Sequence, residues 1–226
     1  MLEQEYHAST RRSVLVIAAG AVLTLIAAYL FTTLGMKDAA LFQTVDAVTR
    51  YFDGTLDDGT DAAMNKIILL LRLPRVLLAL CVGMGLTLSG LIMQAIVQNP
   101  LADPYILGVS SGAYFGAAAG LFLGLGSLFG TVAIGACSFG GALLVSALVI
   151  GFARRENGDL SNLLLGGLAM GLVFSSLAGF LVYKASDKEG MEAVTFWLMG
   201  SVTNAPLPQV LVLCAVVGAT FFYFLT

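Results

Sequence analysis

Two arginines three positions apart offer the clearest chemistry in this sequence. Arg72 and Arg75 flank Leu73 and Pro74, and this spacing places both side chains on one face of a helix. Pro74 fits either the first turn of a helix or a kink within one. Paired guanidinium groups suit carboxylates, so an acidic partner surface is one candidate ligand. The headgroups of a lipid bilayer are the other.

A second polar group surrounds a stiff turn at residues 99–104, called the elbow below. The elbow contains Pro100 and Pro104, which end a helix and restrict the backbone before each ring. Gln94 and Gln98 precede it, one helical turn apart. They could hydrogen-bond a neighbouring helix or line a wet path, and packing is the favoured interpretation.

Glycines and cysteines indicate close packing, and a substrate groove is the less favoured alternative for the glycines. Glycine recurs every fourth residue from Gly108 through Gly112 to Gly124, which flattens one helix face and lets a neighbouring backbone approach. Cys81, Cys137 and Cys214 lie in apolar surroundings without a CxxC spacing. We therefore expect small packing residues there, rather than a metal site or a disulfide.

The elements that position these residues are membrane-spanning helices. Hydrophobic residues make up 58% of the 226 residues, charged residues 11%, and the mean hydropathy is +0.93, which is typical of an integral membrane protein. Helices are expected because an open strand edge leaves backbone groups unpaired in lipid. The sequence predicts an all-α helical bundle with six spans, at residues 14–34, 76–97, 106–123, 132–153, 163–183 and 206–225.

The segments between the predicted spans are short apart from one loop. We predict one transmembrane domain over residues 1–226, with a cytoplasmic tail at 1–13, an external loop at 37–66 and a glycine-rich turn at 124–130. The distribution of Lys and Arg does not decide the orientation. No basic stretch is long enough to suggest nucleic-acid binding.

A long motif resembles the signature of the FecCD family of permeases, which import iron-siderophores, haem, cobalamin and related chelates. It comprises RLPR at 72–75, a glycine-rich helix with Ser89, Gly90 and Gln94, and a stretch from the elbow through Gly108 to Gly112 and Ala113. Five residues of the elbow match this signature: Asn99, Pro100, Leu101, Ala102 and Pro104. Later segments around 163–167 and 196–200 also resemble the family, in which the second is a short external helix.

The resemblance implies a role for several residues. Arg72 and Arg75 would face outward and dock acidic residues of an extracytoplasmic substrate-binding protein. Four residues would close the pathway on the inner side: Asn99, Leu101, Ser161 and Asn162. The fifth span would line the path at a homodimer axis.

The resemblance also implies an ATP-driven importer in a bacterial inner membrane, most commonly for iron-siderophores. This chain has no GxxxxGK[ST] motif, so ATP and magnesium are expected on a separate cytoplasmic ATPase. Similar permeases have ten spans, so the chain is expected to represent the first six. Two alternatives are an ion-coupled carrier, which the lack of Asp and Glu in the spans disfavours, and a truncated fragment that does not transport.

Overall fold

The structure, a computed structural model, describes residues 2–34, 39, 42–56, 61–100, 102–155, 160–184, 188–203 and 206–225. These residues form helices and connecting turns, with no strand among them. The α-helices are α1 (Leu2–Thr33), α2 (Gln43–Phe52), α3 (Ala62–Ile67), α4 (Leu73–Val97), α5 (Val109–Phe122), α6 (Leu125–Arg155), α7 (Leu160–Lys184), α8 (Lys188–Met199) and α9 (Leu207–Leu225). A π-helical segment, Ile68–Arg72, joins α3 to α4, and a 3₁₀ helix, Pro104–Leu107, precedes α5.

Five helical stretches in the described residues are long and apolar enough to cross a membrane. They are Arg11–Thr33, Ala62–Val97, Val132–Arg155, Leu160–Lys184 and Leu207–Phe224, and each overlaps a predicted span. The remaining predicted span, residues 106–123, corresponds to α5, which has 14 residues. At 1.5 Å per residue α5 is about 21 Å long, shorter than the roughly 30 Å hydrocarbon core. The all-α, multi-pass membrane architecture is confirmed.

The predicted loop at 37–66 contains helix α2 and all but the last residue of α3, and neither helix was predicted. Helix α2 buries Thr44 and Ala47 on one side. The hydroxyl oxygens of Thr32, at the end of α1, and Thr44 are 3.0 Å apart. Arg50 Nε donates to Asp46 Oδ2 at 2.8 Å across one turn of α2. The segment therefore folds against the end of the first span.

The described chain forms two compact units, and their boundary falls within α4 after Met84. The first contains residues 1–84 and 202–226, and the second residues 85–201. In the second unit, α5 packs against α6 and α7. Phe115 and Phe174 meet edge to face with centroids 5.2 Å apart. Ser175 Oγ donates to Ser111 Oγ at 3.0 Å.

The predicted glycine seam lies between α5 and α6. A Cβ placed on Gly112 would lie 2.5 Å from the carbonyl oxygen of Gly141, and one placed on Gly116 would collide with the carbonyl oxygen of Cys137. Only glycine permits this approach of two backbones. The turn predicted at 124–130 is replaced by two bends, at Gly124 and Gly130, whose φ of 70° and 71° favour glycine. The residues between them belong to α6.

One prediction about the cysteines is wrong. Cys81 of α4 and Cys214 of α9, both in the first unit, form a disulfide with their Cα atoms 5.6 Å apart. The two residues are 133 positions apart, so no local spacing in the sequence indicated the pair. Cys137 is a free thiol, as expected for a packing residue.

Candidate functional site

Arg72 binds the C-terminal end of α1. Its Nη1 donates to the carbonyl oxygens of Thr32 at 3.2 Å and Thr33 at 2.8 Å. The last carbonyls of a helix have no partner within the helix and carry partial negative charge, which a guanidinium group satisfies. The predicted docking arginine therefore also has a structural contact, which its position in the sequence does not indicate.

Arg75 makes a different backbone contact. Its Nε donates to the carbonyl oxygen of Thr203 at 3.0 Å, in the segment before α9. Arg72 and Arg75 are both half-buried and both line one cavity in the first unit. This confirms that the two side chains share a face, while their docking role stays a prediction.

Pro74 explains the irregular backbone beneath the arginines. It is among the most deeply buried residues and lies just beyond the π-helical segment Ile68–Arg72. A proline inside a helix lacks an N–H and crowds the carbonyl four residues earlier. The wider π-helical turn accommodates this crowding while the helix continues. Of the two interpretations of Pro74, an interior irregularity is correct, because the helix already begins at Ala62.

The elbow begins at Asn99, two residues after α4 ends at Val97. Gln98 has a positive φ of 51°, a left-handed conformation that terminates many helices. The Gln94 side chain then spans the turn, with Nε2 donating to the carbonyl oxygen of Pro100 at 2.9 Å. The backbone N–H of Ala102 donates to the carbonyl oxygen of Asn99 at 3.0 Å. Gln94, predicted as a family-motif residue, thus fastens the elbow to the helix before it.

The far side of the elbow leads into α5 through a second tight turn. Asp103 Oδ1 accepts from the backbone N–H of Tyr105 at 2.8 Å, capping the 3₁₀ helix that starts at Pro104. Gly108 has φ of 69° and is buried. A Cβ there would lie 3.1 Å from the carbonyl oxygen of Gly167 in α7. Gly108 therefore provides both the turn and the close packing of α7.

The predicted gate residues lie around a small apolar cluster. Met93, Val97 and Ala102 are buried together, with Leu107 and Leu164 packed against them. Leu164 is in the first turns of α7, two residues beyond Asn162, so the start of α7 lies beside the elbow. Asn99 and Ser161 are exposed and Asn162 is half-buried. Leu101 lies outside the described residues. Closure of a pathway by these residues stays a prediction.

Metal ligands do not cluster in the part of the chain that the structure describes. Within those ranges, no group of three or more His, Cys, Asp or Glu side chains could hold a metal ion.

Comparison with known proteins identifies the family. The model of the FecCD transport family matches residues 21–226. The chain belongs to the FecCD family. Among curated relatives, the vitamin B12 import system permease protein BtuC of Salmonella paratyphi A and that of Salmonella newport (strain SL254) are each 43% identical over 130 residues. That alignment covers 58% of this chain and 39% of each relative.

A solved structure supports the same fold. A metal-chelate type ABC transporter in an inward-facing conformation matches with a TM-score of 0.71 and 30% sequence identity. The match covers 87% of this chain and 56% of the solved chain. This FecCD protein therefore spans about half the length of the proteins that it resembles.

Proposed function

We propose that the chain belongs to the transmembrane permease subunit of an ATP-driven ABC importer for metal chelates in a bacterial inner membrane. The match of the FecCD model to residues 21–226 is the observation that carries this proposal. The subunit itself is a transport component and not an enzyme. ATP hydrolysis, with its magnesium ion, takes place on a separate cytoplasmic ATPase, and the permease works as a homodimer with α7 beside the translocation path.

The arginine pair receives the substrate-binding protein. Arg72 is held by two backbone carbonyls and Arg75 by one, so both guanidinium groups are partly fixed before a partner arrives. Fixing a long side chain in advance lowers the entropy lost on association. Guanidinium forks bind carboxylates through two parallel hydrogen bonds. The partner surface is therefore acidic and meets the end of α1.

The elbow closes the inner end of the pathway. Gln94 and the apolar cluster around Ala102 hold the elbow against the start of α7. A movement of α7 would be transmitted directly to Asn99 and the residues next to it, since packed side chains resist independent motion. In this proposal Asn99, Leu101, Ser161 and Asn162 separate when the path opens to the cytoplasm.

The transported chelate is of the cobalamin type. The BtuC relatives are vitamin B12 permeases, and their 43% identity over 130 residues supports cobalamin more than an iron-siderophore. The iron-siderophore expected from the sequence remains the competing substrate. Both belong to the metal chelates, the class named for the similar solved structure.

Docking is tested with the permease assembled with its ATPase in nanodiscs. Arg75→Glu should weaken binding of the cognate substrate-binding protein at least tenfold, since disrupting a buried charge pair costs about 2–5 kcal/mol. Arg154→Glu is the control, because it makes the same charge change at the exposed end of α6. Equal binding by wild type and Arg75→Glu would refute the docking role of Arg75.

The substrate is tested by uptake into cells that lack their own chelate permeases but express the assembled importer. Radiolabelled cobalamin should accumulate, and uptake should stop when the ATPase carries an inactive nucleotide site. Accumulation of ferric siderophore without cobalamin would refute the cobalamin assignment and identify an iron-siderophore as the substrate. Uptake that persists without ATP hydrolysis and stops with a protonophore would favour an ion-coupled carrier.

A further inference from the structure

Helix α2 presents an exposed apolar surface, called the aromatic face below and formed by Phe42, Val45 and Phe52. Phe42, which precedes the helix with α-helical backbone angles, is 81% exposed, Val45 is 55% exposed and Phe52 is 82% exposed. At about 100° per residue, the three lie within an arc of about 80°. The fully buried Ala47 lies on the opposite side of α2. The helix therefore packs through one side and exposes two phenylalanine rings on the other.

Polar contacts fix the orientation of the aromatic face. Asp46 Oδ2 accepts from Arg50 Nε at 2.8 Å within α2, and from Nδ2 of the buried Asn65 in α3 at 3.4 Å. At the first turn of α2, the buried hydroxyl of Thr44 lies 3.0 Å from that of Thr32 in α1. Helix α2 is thus tied to two other helices of the first unit, and its aromatic face has a defined direction.

The same contacts place α2 beside the ends of two candidate membrane spans. Thr32 is the last residue but one of the span Arg11–Thr33, and Asn65 lies in the first turn of the span Ala62–Val97. The second span has 36 residues and a length of about 54 Å, so its ends extend beyond the roughly 30 Å hydrocarbon core. Helix α2 therefore lies where the spans leave the hydrocarbon, the region in which aromatic side chains are enriched.

The chemistry of the aromatic face distinguishes a lipid surface from the acidic binding protein proposed above. Thr49 lies within the same arc, which holds no charged residue, while Asp46 and Arg50 lie outside it. An acidic protein surface would find no cation on this arc to pair with. A helix with an apolar side and a polar side suits the boundary between lipid headgroups and acyl chains. The bilayer surface is therefore the better match.

We propose that α2 is an interfacial anchor whose aromatic face inserts into the headgroup boundary of the surrounding bilayer. Phe42 and Phe52 lie among the upper parts of the acyl chains, and the buried side of α2 stays against the protein. The anchor holds the polar segment between the first two spans at the membrane surface. Because the face is uncharged, insertion requires no particular lipid headgroup.

Tryptophan fluorescence of the purified chain in phosphatidylcholine nanodiscs tests the proposal. The sequence has one tryptophan, Trp197, so Trp197→Phe provides a background without tryptophan. In that background, Phe52→Trp should be quenched by bromines near the headgroup end of the acyl chains and only weakly by aqueous iodide. Phe42→Trp, at the other end of the aromatic face, should behave in the same way. Tyr51→Trp is the matched control, because Tyr51 is exposed but lies outside the arc, and it should show more iodide and less bromine quenching.

A charge within the aromatic face should expel it from the lipid. Val45→Asp, added to the Phe52→Trp reporter, should lower bromine quenching several-fold, because a carboxylate is costly to place among acyl chains. Thr55→Asp makes the same charge change at an exposed position beyond the end of α2 and should leave the quenching unchanged. Far-ultraviolet circular dichroism of both variants checks that the helices are retained.

Three outcomes would overturn the proposal. Strong iodide quenching of both phenylalanine-site reporters, without bromine quenching, would place the aromatic face in water, where it could receive a protein partner. Weak quenching by both agents would show that a polypeptide segment covers it. Stronger quenching by bromines near the methyl end of the acyl chains would place α2 deeper than the interface. The experiment involves neither transport nor a binding protein, so its failure is distinguishable from failure of the importer assignment.

Discussion

Replacing Gly116 by alanine should separate the two helices that meet most closely in the second unit. Gly116 is buried in α5 and faces the backbone of α6. A methyl group there would collide with the carbonyl oxygen of Cys137, and would lie 2.8 Å from the carbonyl carbon of Cys137 and 3.0 Å from Cα of Ser138. These neighbours are backbone atoms, so no side-chain rotation relieves the collision.

The expected change in unfolding free energy for Gly116→Ala follows from two opposing effects. Ordinary van der Waals contact begins at 3.4 Å, so α5 and α6 must move apart by about 0.6 Å to clear the carbonyl carbon of Cys137, and by more to clear its oxygen. Overpacking of this kind costs about 1–3 kcal/mol, and close packing is a principal attraction between helices in lipid. Alanine regains up to about 1 kcal/mol through its higher helix propensity. Gly116→Ala should therefore lose about 1–2 kcal/mol of unfolding free energy.

The measurement is equilibrium unfolding of the full chain by SDS in mixed micelles, followed by far-ultraviolet circular dichroism. Gly140→Ala is the matched control, because Gly140 lies in α6 and a Cβ placed there would meet nothing within 4 Å. It should be unchanged or more stable by up to about 1 kcal/mol. If both variants unfold at the same SDS fraction, the glycine seam does not hold α5 and α6 together.

Three further predictions concern the elbow and the cysteines. Gln94→Leu removes the hydrogen bond across the elbow and should speed deuterium uptake by elbow amides, while unchanged uptake would contradict its fastening role. Gln98→Gly should raise the unfolding free energy by about 1 kcal/mol, because glycine adopts positive φ without strain, and Gln98→Val should lower it. Maleimide added to denatured, unreduced protein should label only Cys137, whereas labelling of Cys81 and Cys214 before reduction would exclude their disulfide.

The membrane spans could be predicted because the hydropathy of a segment depends only on the residues of that segment. Each predicted span overlaps a helix, and the chain bends at Gly124 and Gly130 inside the long uncharged stretch where a turn was expected. Helices α2 and α3 were missed because they lie in a polar loop without a long apolar run. Their folding depends on contacts such as Thr32 with Thr44, which sequence spacing does not reveal.

The motif selects the candidate site residues, but it does not predict their contacts. Residue type and spacing correctly placed Arg72 and Arg75 on one face, because helix geometry fixes that relation. The carbonyls that bind the two arginines come from residues far along the chain. The disulfide between Cys81 and Cys214 is missed for the same reason. Contacts between residues that are far apart in the sequence can be identified only from the folded structure.

The contacts of the two arginines make them unequal as probes of docking. Arg72 satisfies two carbonyls at the end of α1, so its loss affects the first span whether or not a partner docks there. Arg75 bonds one carbonyl, in the segment before α9, and its replacement disturbs less of the fold. Weakened docking after a change at Arg72 alone is therefore ambiguous. The same result at Arg75, with the control variant Arg154→Glu still able to dock, assigns the arginine face to the binding protein.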